Sequence, residues 1–344
     1  KLNYLHPSSS PQQITKKTTS GSTGIPFTFY RNRGEIPELQ ALMLRGYRWA
    51  GFRQGDRAVQ TFSSHKEKLP YWEVFPYDNP SDLEWSRFAF YQMLEGERRT
   101  LLYSFPSFVI PLSRFFVLDK PKISFRSLIL VGEHITTSAR LYLEEIFKAP
   151  VYLGYATREF GLIAQECQYR MGMHLFSESI FLEIVDRNGV SLPPGETGEI
   201  IITSLTNTAM PLIRFRIGDQ GRFITSPCPC GKTLPLIEIF GRETALLPLP
   251  NGRALYLVEV QRMLTESFGD SIREFQLYQE SLEKLILYIV PTISTDLEFK
   301  DLVEQALFII TKGADIHVEL VSVLPERGTL KRAFFSELTH RSVR

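Results

Sequence analysis

Apolar and polar positions along this chain recur with periods that predict both strands and helices. The apolar run at 127–131 is typical of a buried strand, and residues 137–147 have the spacing of a helix. A second short strand is predicted at 150–154. Strand, loop, helix and strand in this order are typical of parallel α/β architecture. The fold class is therefore predicted to be α/β, with a large mixed domain at the N-terminal side.

The pattern changes in the second half of the chain. Residues 180–185 and 198–203 alternate as antiparallel strands do. Beyond residue 242, short strand and helix patterns follow one another at 258–268, 274–279, 284–290, 295–311 and 316–323. We therefore predict a large core over residues 1–242 and a small, mobile α+β C-terminal domain over residues 243–344.

Two stretches have no hydrophobic period. Residues 1–17 are polar and rich in turn formers, and they are predicted to be a loop or arm. Residues 65–86 combine Pro, Asp and aromatic side chains and are predicted to be an irregular excursion. The most apolar stretch, 101–118, is interrupted by Pro106, Pro111 and Arg114, so no membrane span is predicted.

Composition and charge narrow the classes of partner. The 344 residues include 39 basic and 38 acidic side chains, a balance that gives no electrostatic argument for nucleic acid. Three cysteines cannot all pair with one another, and no secretory signal is recognisable. This usage favours a reducing compartment, so a cytoplasmic location is predicted.

The stretch from Thr18 to Pro26 is the strongest candidate for chemistry. Its sequence, TTSGSTGIP, places glycines among hydroxyl side chains directly before a predicted strand. Glycines let a backbone turn tightly and bring N–H groups to an anion, and hydroxyls add further donors. No Gly-Lys-Ser/Thr closes the loop, so it is not a Walker motif. The stretch is interpreted as a phosphate-binding loop, with a simple surface turn as the alternative.

The loop resembles the signature loop of the adenylate-forming superfamily, which includes acyl-CoA synthetases, peptide-synthetase adenylation domains and luciferases. Tyr155-Ala-Thr-Arg-Glu159 resembles the family's Tyr-Gly-x-x-Glu element, with Ala156 in place of the usual glycine. Its Arg-Glu form resembles the phenylacetate–CoA ligase and capsule-biosynthesis branch. The resemblance extends to Lys331, with the motifs in the same order. Family members carry a longer segment before the loop, so we expect this chain to be truncated or shortened there.

The resemblance implies roles for individual residues. Glu159 would help to hold Mg²⁺, a role that suits a carboxylate, and Tyr155 would pack on adenine. PLIRFRIGD, which ends at Asp219, resembles a central motif whose aspartate binds both ribose hydroxyls. Nucleotide-binding residues implied in this way are Thr19, Ser20, Gly21, Ser22, Thr23, Gly24, Gly132, Glu133, Tyr155, Asp219 and Arg242.

Three residues are implied to be catalytic: Lys331, Glu159 and Arg242. Gly241-Arg242 resembles the entry to the family's hinge, although Glu243 follows where Asp is commoner. Lys331 stands in the place of the catalytic lysine, with Leu330 where glycine is expected. Such a lysine would offset the charge that builds up on the transferring group.

A metal site is suggested by the pair Cys228-Pro-Cys230, which can hold one ion with two thiolates. Cys167 and His174 upstream complete a Cys₃His set, which is standard for structural zinc. Members of the resembled branch have cysteine and histidine at similar places. The alternative is three buried thiols without a metal.

These features predict an ATP-dependent ligase that converts a carboxylic acid to an acyl-AMP and then passes it to a thiol, coenzyme A or a carrier protein. ATP, Mg²⁺, coenzyme A and Zn²⁺ are the implied cofactors. The aromatic segment 103–116 is either an aryl-binding wall or ordinary core. Two other classes stay open, a nucleotidyltransferase that acts on a cofactor or alcohol, and a catalytically silent ATP-binding scaffold.

Overall fold

The computed structural model describes residues 11–18, 27–61, 72–75, 83–94, 96, 99–133, 135, 137–242, 246–249, 254–256, 260, 263–264, 267–268, 271–279, 281, 283–291, 297–311 and 314–325. The chain divides into two compact units. The first unit comprises Lys1–Gln54 and Tyr152–Gly241, and the second comprises Gly55–Val151 and Arg242–Arg344.

The described part of the first unit is built on antiparallel strands and one long helix. Its sheet has the strand order β10-β11-β12-β13-β9-β8-β7, and β1 and β2 form a separate antiparallel hairpin. The elements are β1 Ile14–Thr18, β2 Thr28–Asn32, α1 Ile36–Trp49, β7 Val151–Thr157, β8 Gly161–Glu166, β9 Met173–Leu175, β10 Ile180–Val185, β11 Gly198–Ser204, β12 Phe215–Ile224 and β13 Leu236–Arg242.

The core of the first unit joins the hairpin to the sheet. Phe29 of β2 is fully buried in one apolar cluster with Ile163, Ile200 and Ile237 from the sheet strands. Helix α1 approaches β8 at Gly46, whose carbonyl accepts a hydrogen bond of 2.6 Å from Gln165 Nε2. A methyl group on Gly46 would overlap the end of the Gln165 side chain, so a larger residue here would force that side chain to move.

The second unit begins as a parallel α/β sheet and ends as an α+β fold. The parallel strands have the order β6-β5-β3-β4. Further along, β17 pairs with β16 antiparallel and with β18 parallel. The elements are β3 Arg57–Gln60, β4 Trp72–Val74, α2 Leu83–Leu94, β5 Thr100–Ser104, α3 Pro106–Asp119, β6 Phe125–Val131, α4 Thr137–Phe147, β14 Leu246–Pro248, β15 Ala254–Tyr256, β16 Ile272–Gln279, β17 Lys284–Pro291, α5 Leu297–Thr311 and β18 Asp315–Leu320.

These elements confirm the predicted fold class, a mixed α/β protein with an α+β C-terminal part. Two local predictions were wrong. The predicted arm 1–17 ends in strand β1, which is stabilised by pairing with β2 rather than by its own pattern. The predicted excursion 65–86 contains strand β4 and the start of α2. The predicted core over residues 1–242 stays a prediction, since the second compact unit includes residues 55–151 as well as 242–344. The assignment of 243–344 as a separate, mobile domain stays a prediction.

Candidate functional site

Two residues assigned to the nucleotide meet in the first unit. The Tyr155 hydroxyl on β7 donates a hydrogen bond of 2.6 Å to Asp219 Oδ2 on β12, across 64 positions of sequence. Tyr155 is 8% exposed and Asp219 is 6% exposed. A buried carboxylate needs such a donor, and hydrogen bonds to charged acceptors are among the stronger ones. The residues that the sequence assigned to adenine and ribose therefore lie side by side.

Glu159 lies in the tight turn between β7 and β8. Thr157 and Gly161 pair across the ends of these strands. Within the turn, the Phe160 N–H donates to Thr157 Oγ1 at 3.2 Å, and the Phe160 side chain is buried. Glu159 itself is half-buried. The turn is therefore anchored on both sides of the residue that was assigned to Mg²⁺.

The structure describes the base of the predicted phosphate loop but not its tip. The base is the β1–β2 hairpin, in which Thr18 pairs with Thr28 and their hydroxyl oxygens are 3.3 Å apart. From the Glu159 turn, Arg158 Nη1 donates to the Thr18 carbonyl at 2.8 Å. Residues 19–24, which carry the predicted phosphate contacts, lie outside the described residues. Their role stays a prediction.

Arg31 was missed by sequence reasoning. Its guanidinium Nη2 donates to the Glu159 carbonyl at 2.6 Å and to the Arg158 carbonyl at 3.5 Å, although Arg31 is only 8% exposed. The available signal was alternation along β2, because Arg31 has the same parity as the buried Phe29. An arginine on the buried side of a strand is a polar group that needs partners.

Glu35 is a second buried ionisable group at this place. It is 6% exposed, and Arg31 Nε lies 3.9 Å from its Oε2. Burial raises the pKa of Glu35 to about 7, although the Arg31 charge and the backbone groups of Asn32 and Thr208 act in the opposite direction. Burial disfavours the charged form of a carboxyl group, and here its effect on the pKa is larger than that of the Arg31 charge and the backbone hydrogen bonds.

Gly132 and Glu133 lie in the second unit and have structural partners there. The Glu133 carboxylate accepts hydrogen bonds of 2.8 Å from both the backbone N–H and the hydroxyl of Ser107, in the first turn of α3. A carboxylate at a helix N-terminus satisfies free N–H groups and the helix dipole. Gly132 has a φ of +77°, and an added Cβ would lie 2.8 Å from the Phe105 ring. Their nucleotide roles stay predictions beside these structural ones.

Two further catalytic assignments cannot be located in this way. Lys331 lies outside the described residues. Arg242 ends strand β13, but its side chain is also outside the described part of the structure.

Of the two arginines in the motif before Asp219, Arg214 pairs with Glu183 at 3.1 Å and Arg216 with Glu199 at 2.8 Å. Both arginines therefore have carboxylate partners, that of Arg214 on strand β10 and that of Arg216 on strand β11.

The four residues of the predicted metal site converge. The ligand atoms of Cys167, His174, Cys228 and Cys230 all lie within 4.8 Å of one another. The Cys167 and Cys228 sulfurs are 3.6 Å apart, and Cys230 Sγ is 3.2 Å from His174 Nε2. About 3.8 Å is the spacing of two sulfurs around tetrahedral zinc, given a Zn–S bond of ~2.3 Å. The donor set and its spacing fit such an ion.

Burial and hydrogen bonds shift the pKa values of this Cys/His cluster. Burial lowers the pKa of His174, so the imidazole is neutral, as a metal ligand must be. It raises the pKa of Cys228 to about 11. At Cys230 burial acts in the same upward direction, but hydrogen bonds from the Lys232 backbone and from Cys228 outweigh it and lower the pKa. Two thiols of the cluster are thus shifted in opposite directions, with the pKa of Cys230 lowered and that of Cys228 raised.

Aromatic and cationic side chains surround the cluster. The Trp49 ring at the end of α1 meets the His174 ring edge-on at 5.7 Å and stacks on Phe176 at 5.1 Å. Lys232 Nζ lies 5.2 Å from the centre of the Trp49 ring. Helix α1 is thereby packed against the Cys/His cluster.

The aromatic segment 103–116 is largely core. Tyr103 and Phe108 are buried, and Phe108 packs edge-to-face with Phe90 at 5.3 Å. Phe116 contacts Phe147 at 4.8 Å. These contacts favour the core interpretation over an aryl-binding wall.

The chain is similar in sequence to known proteins, over part of its length or most of it. No protein-family model matches the chain. It is 33% identical over 105 residues to a phenylacetate-coenzyme A ligase of Thermus thermophilus, an alignment that covers 30% of this chain and 23% of the relative. It is 22% identical over 349 residues to the protein CapK of Staphylococcus aureus, covering 94% of this chain and 74% of that protein. The matched segment thus spans about a quarter of the length of the ligase.

The fold is similar to that of solved enzymes. A 2-hydroxyisobutyryl-CoA ligase, crystallised in the postadenylation state with R3-HIB-AMP, matches with a TM-score of 0.70 at 21% identity, over 97% of this chain and 74% of that chain. The protein therefore has the fold of the adenylate-forming ligases. The chain is thus similar in fold to these ligases, and similar in sequence to phenylacetate-coenzyme A ligases and to CapK. Among the described residues, none of the helices has the length and apolar character needed to cross a membrane.

Proposed function

We propose that this protein activates a carboxylic acid as its acyl-AMP at the expense of ATP and releases pyrophosphate. The observation that carries the proposal is the contact between Tyr155 and Asp219, because it joins the two motifs assigned to the nucleoside. The names of the relatives, CoA ligases and an enzyme complexed with an acyl-adenylate, support the same reaction class.

The roles of the residues follow from their chemistry. The Asp219 carboxylate would exchange its contact with Tyr155 for the ribose hydroxyls, and Tyr155 would then pack on the base. Residues 19–24 would bind the polyphosphate through N–H and hydroxyl donors, and Arg242 and Lys331 would offset charge near the α-phosphate. Glu159 is the carboxylate that would hold Mg²⁺, which screens phosphate charge when it is bound.

The acceptor in the second half-reaction is proposed to be a thiol, with coenzyme A favoured because the relatives are named CoA ligases. An aryl or arylacetic acid is the proposed substrate class, by analogy with the phenylacetate ligases. The core packing of segment 103–116 gives this choice no separate support, so it depends on the relatives alone.

Exchange of labelled pyrophosphate into ATP, measured with a panel of carboxylic acids, tests the proposal. Exchange that depends on an acid supports the ligase. Transfer of AMP to an alcohol or cofactor, without any acid, would instead indicate a nucleotidyltransferase. Folded protein that binds ATP but gives neither reaction would be a silent scaffold, and the proposal would be wrong.

Lys331→Ala is expected to slow adenylate formation about 100-fold or more while the Kd for ATP changes little, because a residue of this kind stabilises charge in the transition state. Single-turnover formation of acyl-AMP and equilibrium ATP binding measure the two effects separately. Arg332→Ala, at the next position, is the control. An unchanged rate for Lys331→Ala would remove this residue from the mechanism.

We also propose that Cys167, His174, Cys228 and Cys230 hold a structural zinc ion. The convergence of their ligand atoms within 4.8 Å supports this assignment. Four protein ligands complete a tetrahedral shell, so the ion would have no open position for chemistry. A bound cation would also stabilise the Cys228 thiolate against the effect of burial. Elemental analysis of purified protein should find about one zinc per chain, and its absence would remove the assignment.

A further inference from the structure

Two arginines link the predicted phosphate loop to the turn that carries Glu159, and they do so in opposite directions. Arg31 on β2, after the loop, donates to the Glu159 carbonyl at 2.6 Å. Arg158 in the turn donates back to the carbonyl of Thr18, the last residue of β1 and the first of the loop, at 2.8 Å. Both strands that bound the loop are therefore connected to one turn.

The burial of Arg31 is unfavourable by itself. The residue is 8% exposed, and burial lowers its pKa although the charges of Glu35 and Glu159 act in the opposite direction. Removing a guanidinium from water is costly unless hydrogen bonds and charges compensate, and well-packed apolar residues are often at least as stabilising. An apolar side chain beside Phe29 would satisfy packing alone. Such an apolar residue could not donate the hydrogen bonds that Arg31 makes to the turn.

The turn itself has little freedom. The bond from the Phe160 N–H to Thr157 Oγ1 and the burial of Phe160 fix its later half. The bond from Arg31 fixes the carbonyl of Glu159, and the more exposed Arg158 side chain fixes the base of the loop. Across that base, Thr18 and Thr28 are paired in the hairpin.

We propose that Arg31 and Arg158 form a reciprocal positioning clamp that holds the Glu159 turn and the base of the phosphate loop as one rigid piece. The inference rests on the proposed function, in which the loop and Glu159 act on the same polyphosphate. A carboxylate and a loop that share a ligand must keep a constant separation, and groups that orient metal ligands commonly change metal affinity about 10–100-fold when they are removed.

Arg31→Met tests the clamp, with Arg33→Met at an exposed neighbouring position as the matched control. Calorimetric titration with ATP at increasing Mg²⁺ is the measurement, and it requires no knowledge of the acid. We expect Arg31→Met to raise the Kd for Mg·ATP about tenfold and to shift the Mg²⁺ dependence to higher concentration, with AMP affinity within about twofold of wild type. Arg31→Lys should recover part of the loss, because it keeps the charge and one donor.

A double-mutant cycle shows whether Arg31 acts through Glu159. If it does, Arg31→Met in the Glu159→Gln background should add less than about a twofold further loss of Mg·ATP affinity. Losses that multiply, or equal losses for Mg·ATP and AMP, would show a general structural role and overturn the clamp. If Arg31→Met does not fold, Arg158→Met tests the clamp instead, because the Arg158 side chain is exposed. A several-fold, Mg²⁺-dependent loss is expected for it, and wild-type behaviour would overturn the clamp.

Failure of the clamp and failure of the proposed function give different results. Wild-type protein that binds no Mg·ATP would overturn both. Wild-type binding that loses its Mg²⁺ dependence in Glu159→Gln, but not in Arg31→Met or Arg158→Met, would overturn the clamp alone.

Discussion

The Cys/His cluster and the Tyr155–Asp219 pair belong to the same compact unit, but their polar atoms are arranged in different ways. In the cluster, four donor atoms converge to within 4.8 Å of one another, as around a single ion. In the pair, a hydroxyl donor meets a carboxylate acceptor at 2.6 Å, and the two groups satisfy each other. A convergent set of ligands is suited to a permanent ion, whereas a mutually satisfied pair can open to admit a ligand and close again.

The largest expected effect lies on the cluster side of this comparison. Cys230→Ser should release zinc and lower the free energy of unfolding by about 3 kcal/mol or more, since metal binding contributes directly to folding. Urea unfolding and elemental analysis check it, with Ser226→Ala on the same exposed segment as the control. If chelated wild type and chelated variant differ by as much as the untreated proteins, the cluster is stabilised by packing and not by a metal.

Asp219→Asn tests the Tyr155–Asp219 pair. We expect nucleotide affinity to fall about 10- to 100-fold, because a hydrogen bond to a charged group contributes roughly 1.5–3 kcal/mol. Calorimetric titration with AMP measures it, and Asp186→Asn at a turn elsewhere in the unit is the control. Zinc content should stay at the wild-type level. A variant that loses zinc as well as AMP affinity would show that the two regions are not independent.

The pH dependence of the free energy of unfolding should come from Glu35, the buried carboxyl group beside Arg31. Its pKa in the folded protein is raised to about 7 from 4.5, so the folded state binds more protons than the unfolded state between these values. The stabilisation by protonated Glu35 is therefore complete below pH 4.5 and is lost as the pH rises through 7. Wild type should lose about 1–2 kcal/mol more over this range than Glu35→Gln.

Denaturant unfolding at several pH values measures that difference. Glu145→Gln, at an exposed position of α4, should follow wild type throughout. Parallel curves for wild type and Glu35→Gln would mean that Glu35 ionises normally in the folded protein, whatever its burial.

The smallest effect is expected from Tyr155→Phe. It removes one donor from Asp219 and should cost about 1 kcal/mol of stability, while AMP affinity changes less than about fivefold because the ring is kept. Thermal unfolding and AMP titration check both values, with Tyr30→Phe as the control. A loss of AMP affinity as large as that of Asp219→Asn would show that the hydroxyl itself contacts the ligand, and the exchange of partners proposed for Asp219 would be wrong.

Much of the first unit could be predicted because its elements have regular periods. Strand β10 occupies 180–185 as predicted, and in the second unit helix α4 likewise occupies the predicted residues 137–147. Strand β1 was missed because its residues alternate weakly and its partner strand stabilises it. Arg31 was missed because a charged residue in a strand is usually solvated, and only its partners at the 158–159 turn explain its burial.

By itself, the sequence determined the fold class, which depends on local periodicity. It also contains the motifs that the resemblance assigns to the nucleotide and the cysteine and histidine side chains of the cluster. Only the tertiary structure decided that Tyr155 donates to Asp219, that Arg31 holds the Glu159 turn, and that Glu133 caps a helix. Contacts of this kind depend on how distant strands and helices pack, and a shift of one residue in a strand moves every side chain to the other face.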